Sequence, residues 1–166
     1  MPESTFILAD IRMRDNTFLE WSTTNETGIL DYDIEQFKWN HWVSIGQVRG
    51  KGGETKNKYS FKVPLHSGVN KFRVTQTDNS GEKRISKEVT QESSIKEFSM
   101  TPTSVRDDIF FYSEGYKKKT RYEVFDAFGN LLKVGFADHV DCRNIVNGIY
   151  YMNYDNKSEK FLKASE

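Results

Sequence analysis

The sequence predicts an all-β protein built from two tandem β-sandwiches. Short segments rich in β-branched and aromatic residues alternate along the chain with clusters of Gly, Asn, Asp and Ser. The apolar spacing that marks an amphipathic helix is not sustained anywhere for three turns. With 166 residues, of which 36% are hydrophobic and 29% charged, the chain can fold as one domain or as two small ones.

Residues 1–92 predict seven strands, which is the number and spacing of an immunoglobulin-like sandwich. Side chains alternate along a strand, so Leu19 shares a face with Trp21, and Phe72 shares one with Val74. Each strand can bury only one face, and two sheets must therefore pack against each other. The predicted strands cover residues 5–14, 17–22, 30–37, 42–48, 58–63, 71–77 and 83–90.

Residues 93–166 predict a second, smaller sandwich. The polar segment 90–94, which has no apolar anchor, places the boundary at residue 92. The segment 149–152 is apolar on both faces, which is typical of a central strand or of one whose second face meets another body. The predicted strands cover residues 95–100, 108–113, 120–126, 131–136, 149–155 and 157–164.

Composition excludes several classes of function. The 24 basic and 24 acidic residues cancel, so no global field attracts nucleic acid or anionic lipid. No apolar run reaches the roughly 18 residues of a membrane span. The single cysteine, Cys142, cannot form an intramolecular disulfide, and we expect an inert, buried thiol. No signal peptide is visible; either the protein stays inside the cell or the chain is an internal or C-terminal piece with an added start Met.

The sequence offers no arrangement that predicts catalysis, a metal or a cofactor. His41, His66 and His139 lie in separate turns without zinc-ligand spacing. The glycine-rich segment 50–53 lacks the ending and the following helix of a phosphate-binding loop, so we expect a flexible loop. The lysines at 117–119 indicate a solvated hairpin tip rather than a nucleic-acid or lipid contact.

Two further patterns have both a functional and a structural interpretation. Asp31, Asp33 and Glu35 share one strand face, where we expect solvated carboxylates paired with Arg73 rather than a calcium or acid–base site. Trp39 lies in a polar turn, where it could stack on a sugar or a partner protein or could pack on its neighbours.

The first half resembles a fibronectin type III domain. The resemblance rests on Leu19-Glu20-Trp21, on Trp42-Val43-Ser44-Ile45, and on the corner from Leu65 to Val74. Phe72 stands where that family has a corner Tyr, so the hydroxyl hydrogen bond of the corner is lost. Trp42 matches an aromatic position of the family, and the resemblance therefore implies that it lies in the core. The segment 21–26 is similar to the penultimate module of secreted Bacteroidetes proteins. This fold hosts many functions and implies none by itself.

Residues 95–166 resemble the C-terminal (Por) sorting domain of the type IX secretion system. The similarity is carried by Tyr122-Glu123-Val124-Phe125-Asp126 and by Gly148-Ile149-Tyr150, followed near the C-terminus by Lys160-Phe161-Leu162-Lys163. Gly148 is predicted to adopt a positive φ before its strand. The two lysines have two interpretations, protection of an edge strand or contact with a receptor. The sorting-signal candidates are Gly148, Ile149, Tyr150, Lys160, Phe161 and Lys163.

The resemblance implies a non-catalytic C-terminal segment of an exported or cell-surface bacterial protein, a spacer followed by a secretion signal. Its implied partners are the outer-membrane secretion machinery and a sorting protease. The alternative is an adhesion module that binds carbohydrate or protein through Trp39. An enzyme ranks last, because no nucleophile, base and orienting group occur together in a recognisable pattern.

Overall fold

The structure, a computed structural model, describes residues 6–165. It is all-β and divides into two compact units, residues 6–65 with 69–93 and residues 66–68 with 94–165. The predicted first strand began at Thr5, which lies outside the described residues. Each unit consists of two β-sheets around its own apolar core. The predicted class, an all-β chain with two sandwiches, is therefore confirmed.

The first unit contains eight strands: β1 (Phe6–Arg14), β2 (Phe18–Glu26), β3 (Asp31–Lys38), β4 (His41–Arg49), β5 (Asn57–Lys62), β6 (Val69–Thr77), β7 (Lys83–Ile85) and β8 (Val89–Glu92). One sheet has the order β1-β2-β5, and the other has the order β4-β3-β6-β7, with β8 also paired to β6. The first, second and fifth strands thus oppose the third and sixth, as in immunoglobulin-like sandwiches.

An aromatic cluster fills the core of the first unit. The rings of Trp21 and Tyr59 stack with centroids 5.4 Å apart, and Tyr32 meets both rings edge-on or tilted. Leu19 and Trp21 are both buried, and so are Phe72 and Val74. The faces predicted from strand alternation are confirmed at these positions.

The second unit contains nine strands: β9 (Phe98–Thr101), β10 (Ser104–Val105), β11 (Asp108–Ser113), β12 (Tyr116–Lys117), β13 (Thr120–Asp126), β14 (Leu131–Ala137), β15 (His139–Asp141), β16 (Gly148–Tyr154) and β17 (Lys157–Lys163). One sheet has the order β10-β17-β16-β13-β14, and in the other β11 pairs with β9, β12 and β15. The strands β10, β12 and β15 were not predicted, because two or three residues carry no readable alternation.

The predicted strand 83–90 is interrupted, and this expectation was wrong. The hydroxyl of Ser86 accepts a hydrogen bond from the backbone N–H of Val74 at 2.9 Å, while the N–H of Ser86 donates to the carbonyl of Val74. A serine hydroxyl that replaces a backbone partner competes with the regular ladder. The segment therefore divides into β7 and β8.

Trp42 does not lie in the core, contrary to the prediction. It pairs across the strands with Phe37, which alternates with the buried Ile34 and Gln36 and so faces outward. A bulge opposite Glu35 separates Trp42 from the inward positions further along β4. An extra residue in one strand changes the face of every side chain beyond it.

Candidate functional site

The hairpin of β16 and β17 brings all six sorting-signal candidates together. Gly148 pairs with Lys163, and Tyr150 pairs with Phe161. Ile149 pairs with Leu162, while Lys160 pairs with Tyr151. Two sequence segments separated by about ten residues in the chain are thus direct cross-strand neighbours. The candidates form one contiguous patch of structure rather than two scattered motifs.

Three of the six point into the sandwich and support it. The rings of Tyr150 and Phe161 are buried and stack with centroids 5.5 Å apart. The Tyr150 hydroxyl donates to the carbonyl of Val146 at 2.6 Å. Lys163 is only 5% exposed, and its ammonium donates to the carbonyl of Cys142 at 2.9 Å. Neither interpretation made for Lys163, edge protection or receptor contact, agrees with this buried position.

The other side of the hairpin is available to a partner. Ile149 and Lys160 are exposed on the outer face of the five-stranded sheet. β16 lies between β13 and β17, so it is a central strand, as one of the two sequence interpretations had it. Gly148 has a φ of 154°, a positive value that residues with a side chain rarely adopt, as predicted.

Trp39 has an unusual backbone and an unused donor. It occupies the two-residue turn between β3 and β4 with Asn40, and their φ angles are 54° and 68°. This turn normally takes Asn and Gly, because a bulky side chain at positive φ is strained. The Lys38 ammonium lies 4.2 Å from the centre of the indole ring. The indole N–H is buried and has no hydrogen-bond partner among the described residues.

An aromatic and charged cluster on the outer face of the same sheet was not foreseen. The Arg73 guanidinium lies 4.2 Å above the Trp42 ring, and Phe37 contacts that ring edge-on at 5.3 Å. Arg73 also binds Glu35, with Nε and Oε1 2.7 Å apart, and Lys83 lies 3.5 Å from the same carboxylate. The predicted pairing of Glu35 with Arg73 is confirmed, but Glu35 is buried at 7% exposure, so the expectation of a solvated carboxylate was wrong there. Correct assignment of Trp42 to this face would have required knowledge of the bulge.

The glycine-rich segment 50–53 covers a buried carboxylate. Glu26 is 3% exposed and accepts hydrogen bonds from Thr23, Asn57 and Tyr59 at 2.6–2.8 Å, with the N–H of Gly52 at 3.4 Å. Burial raises the pKa of Glu26, but these hydrogen bonds outweigh it and hold the pKa below its ordinary value. Burial also raises the pKa of Tyr59 to about 12. The loop was expected to be flexible and is instead hydrogen-bonded to the sandwich.

The cysteine and the lysine cluster considered in the sequence analysis contact other residues of the fold. Cys142 is buried, and burial raises the pKa of its thiol to about 11, in agreement with the predicted inert thiol. Lys117 lies 4.1 Å above the ring of Phe110, and Lys118 pairs with Glu114 at 3.1 Å. Within residues 6–165 no group of three or more potential metal ligands occurs. No helix in that range could cross a membrane.

A serine, a histidine and an aspartate meet in the second unit, but not in catalytic order. The Ser67 hydroxyl donates to the carboxylate of Asp155, and the Ser67 N–H donates to the same group at 2.8 Å. His66 Nδ1 lies 2.7 Å from the carbonyl oxygen of Ser67. A hydrolase requires the hydroxyl to donate to an imidazole that the carboxylate orients. This arrangement instead fixes the backbone around Ser67.

The second unit also exposes an apolar surface that sequence reasoning missed. A cleft of about 440 Å³ lies between the β13–β14 turn and the loop 143–147, and Phe128, Leu132, Val146 and Ile149 are among the residues that line it. Phe128 and Val146 are 90% and 80% exposed. The only sequence signal is an apolar side chain in each of two polar segments, Phe128 in 126–130 and Val146 in 143–147.

Comparison with known proteins gives similarity of structure only. No protein-family model and no curated protein matches the chain. A tetra-tandem repeat from the extending region of a large adhesion protein is similar over 98% of this chain, with 12% identity and a TM-score of 0.39. The central fibronectin-III array of RIM-binding protein is similar over 99%, with 6% identity and a TM-score of 0.34. The chain spans 50% of the first of these structures and 71% of the second.

Proposed function

We propose that the chain is a non-catalytic part of an exported or cell-surface bacterial protein, with a spacer module followed by a sorting signal of the type IX (Por) system. The observation that carries the proposal is the cross-strand pairing of the six signal candidates in the β16–β17 hairpin. A receptor can contact only one face of a strand pair, and here that face contains Ile149 and Lys160. The buried members of the set hold this face in place.

The experiment fuses the whole chain behind a signal peptide and a reporter in a bacterium with a type IX system. The wild-type fusion is expected at the cell surface. The double variant Ile149→Ser with Lys160→Glu should leave the reporter in the periplasm, because both changes lie on the exposed face and spare the core. Tyr116→Ser, an equally exposed change on the other sheet, is the control and should be delivered. Periplasmic retention of the wild-type fusion would contradict the proposal.

A second candidate function is binding of a glycan or a protein through Trp39. It is favoured by the strained turn and by the partly exposed indole ring that this turn presents. Strain at a single position is often retained where a function requires it. A glycan array with the wild-type chain, Trp39→Phe and Trp39→Ala tests this function. Binding that needs the N–H is lost in both variants, and binding that needs only the ring survives in Trp39→Phe. An array without any wild-type signal rules out a glycan.

A further inference from the structure

The exposed apolar residues of the chain are concentrated on one side of the second unit. Nine of the fifteen large apolar residues that are exposed within residues 6–165 lie on the outer face of the five-stranded sheet or beside the cleft at its end. We call this set the apolar surface. Its members are Phe128, Leu131, Leu132, Val134, Phe136, Val146, Ile149, Tyr151 and Leu162.

Strand register makes the outer-face part of this surface continuous. Leu162 neighbours Ile149 across β17 and β16, and Tyr151 neighbours Phe125, which in turn pairs with Leu131. Cross-strand neighbours on one face approach within about 5.5 Å, so their side chains touch. Polar residues on the same face, such as Glu123 and Asn153, are hydrogen-bonded to each other at 3.2 Å.

The size of the apolar surface is that of a dimer interface. Taking about 200 Å² for a fully exposed large side chain, the exposed fractions leave on the order of 1,000 Å² accessible. The largest apolar patch on a typical monomer is about 300–600 Å². A stable association of standard size buries about 800 Å² on each partner. The surface therefore supplies the area for a complete interface.

The surface also contains both a projection and a matching recess. Phe128 extends from the β13–β14 turn, and the cleft of about 440 Å³ opens beside it. A cavity of about 150 Å³ suffices for a benzene ring, so the cleft can accept a phenylalanine side chain. A two-fold interface requires each copy to present both of two complementary features, and this surface does so.

Hydrogen bonds hold the two loops that carry these features. Asp126 accepts hydrogen bonds from the N–H groups of Phe128 and Asn130, each at 2.9 Å, and these bonds fix the turn. On the other side of the cleft, Tyr150 binds the carbonyl of Val146, and Lys133 donates to Asn144 at 2.7 Å. A preorganised contact loses little conformational entropy on association.

We propose that the apolar surface binds a second copy of this chain, and that Phe128 of each copy enters the cleft of the other. The interface is isologous, so it closes at two copies. The same outer face also contains charged residues of both signs, Lys160 opposite Tyr151 and Glu123 opposite Val134. The dimer covers Ile149, which the proposed sorting function assigns to the receptor, so the two associations compete for this face. The tests below use the purified chain and are decided without the secretion system.

Sedimentation velocity of the full chain tests the proposal from about 1 µM to about 200 µM, which brackets a micromolar dissociation constant. A species of twice the 19.3 kDa chain mass is expected to grow with concentration. Phe128→Ser removes the projection, and Val146→Arg fills the recess. Each should weaken dimerisation at least about tenfold, as loss of a central aromatic contact does. Tyr116→Ser, which replaces an exposed aromatic residue on the other sheet, should leave the dimerisation constant unchanged.

A mixing experiment distinguishes the exchange of Phe128 from general stickiness. A Phe128→Ser chain loses one wall of its own cleft but keeps Leu132, Val146 and Ile149 there. A Val146→Arg chain keeps its projection, so a mixture regains one of the two contacts. The mixture should therefore associate more tightly than either variant alone. A chain that remains monomeric throughout the concentration range overturns the proposal and leaves the surface to a different protein. Dimerisation that neither variant weakens overturns it as well.

Discussion

At the scale of single residues, the buried Glu26 contributes to the pH dependence of the first unit. Its folded-state pKa lies below the ordinary value of 4.5, because hydrogen bonds from Tyr59, Thr23 and Asn57 more than offset the effect of burial. A carboxyl group of this kind stabilises the fold above its unfolded-state pKa. That contribution disappears as the pH falls through the folded-state pKa. Stability should therefore decline from about pH 4.5 downward.

The variant Glu26→Gln tests this role. An amide NH₂ then faces donors that need an acceptor, so the free energy of unfolding at neutral pH should fall by about 1–3 kcal/mol. Less stability should be lost between pH 5 and pH 3 than in the wild type. Urea unfolding followed by tryptophan fluorescence measures this, since Trp21, Trp39 and Trp42 all lie in the first unit. Glu88→Gln, at an exposed position, is the control. Identical pH profiles for the Glu26 variant and the wild type would refute the role.

Gly50 is required by a close approach of two backbone segments. A Cβ atom there would lie 2.2 Å from the carbonyl oxygen of Leu30, to which the N–H of Gly50 donates at 3.0 Å. Since that oxygen belongs to the backbone, it cannot rotate away. Gly50→Ala should lower the free energy of unfolding by about 1–3 kcal/mol. Gly28→Ala is the matched control, because no atom lies within 4 Å of its Cβ position. Equal effects of the two changes in urea unfolding would show the contact to be unimportant.

At the scale of elements, strand alternation separates structural from available positions in β17. Phe161 is buried beneath the sheet and stacks on Tyr150, whereas the next residue, Leu162, faces outward. Phe161→Ala should lower the stability of the second unit by about 3–5 kcal/mol. Leu162→Ala should change it by less than about 0.5 kcal/mol. Amide exchange of β16, measured at low protein concentration, reports these differences. A large effect of Leu162→Ala would mean that the outer face contributes to the fold itself.

Alternation also explains which elements could be predicted from sequence. The long strands were recognisable because Leu19 and Trp21, or Phe72 and Val74, repeat with period two and bury the same face. The break at Ser86 was not recognisable from sequence, because it depends on a hydrogen bond with Val74, twelve residues earlier in the chain. A local pattern carries no information about such partners.

The candidate site also contains features that the sequence predicted and features that it did not. Sequence similarity found the segments around Tyr150 and Phe161, and the structure pairs them. The sequence did not indicate that Lys163 is buried, since lysine is usually exposed. Its ammonium is satisfied by the carbonyl of Cys142 at 2.9 Å, a partner 21 residues earlier in the chain. The cleft beside Phe128 was equally invisible, because it forms where two distant turns meet.

At the scale of the whole molecule, the two units have separate hydrophobic cores. The core of the first contains Ile34 and Trp21, and that of the second contains Met152 and Phe111, with no residue in common. Burial of apolar surface is the dominant stabilising contribution in each. Stability should therefore be a property of each unit, so a single free energy of unfolding does not describe the chain.

Paired core truncations test this expectation. Ile34→Ala and Met152→Ala each remove a fully buried side chain and should cost about 2–5 kcal/mol in their own unit. Tryptophan fluorescence follows the first unit, and amide exchange of β13 and β16 follows the second. Met152→Ala should accelerate amide exchange in β16 while changing the free energy from the tryptophan transition by less than about 0.5 kcal/mol. Ile34→Ala should lower the free energy from the tryptophan transition and leave amide exchange in β16 unchanged. If Met152→Ala lowers both the stability measured by tryptophan fluorescence and the exchange protection of β16, the cores unfold as one cooperative body. The boundary predicted at residue 92 then does not separate two domains.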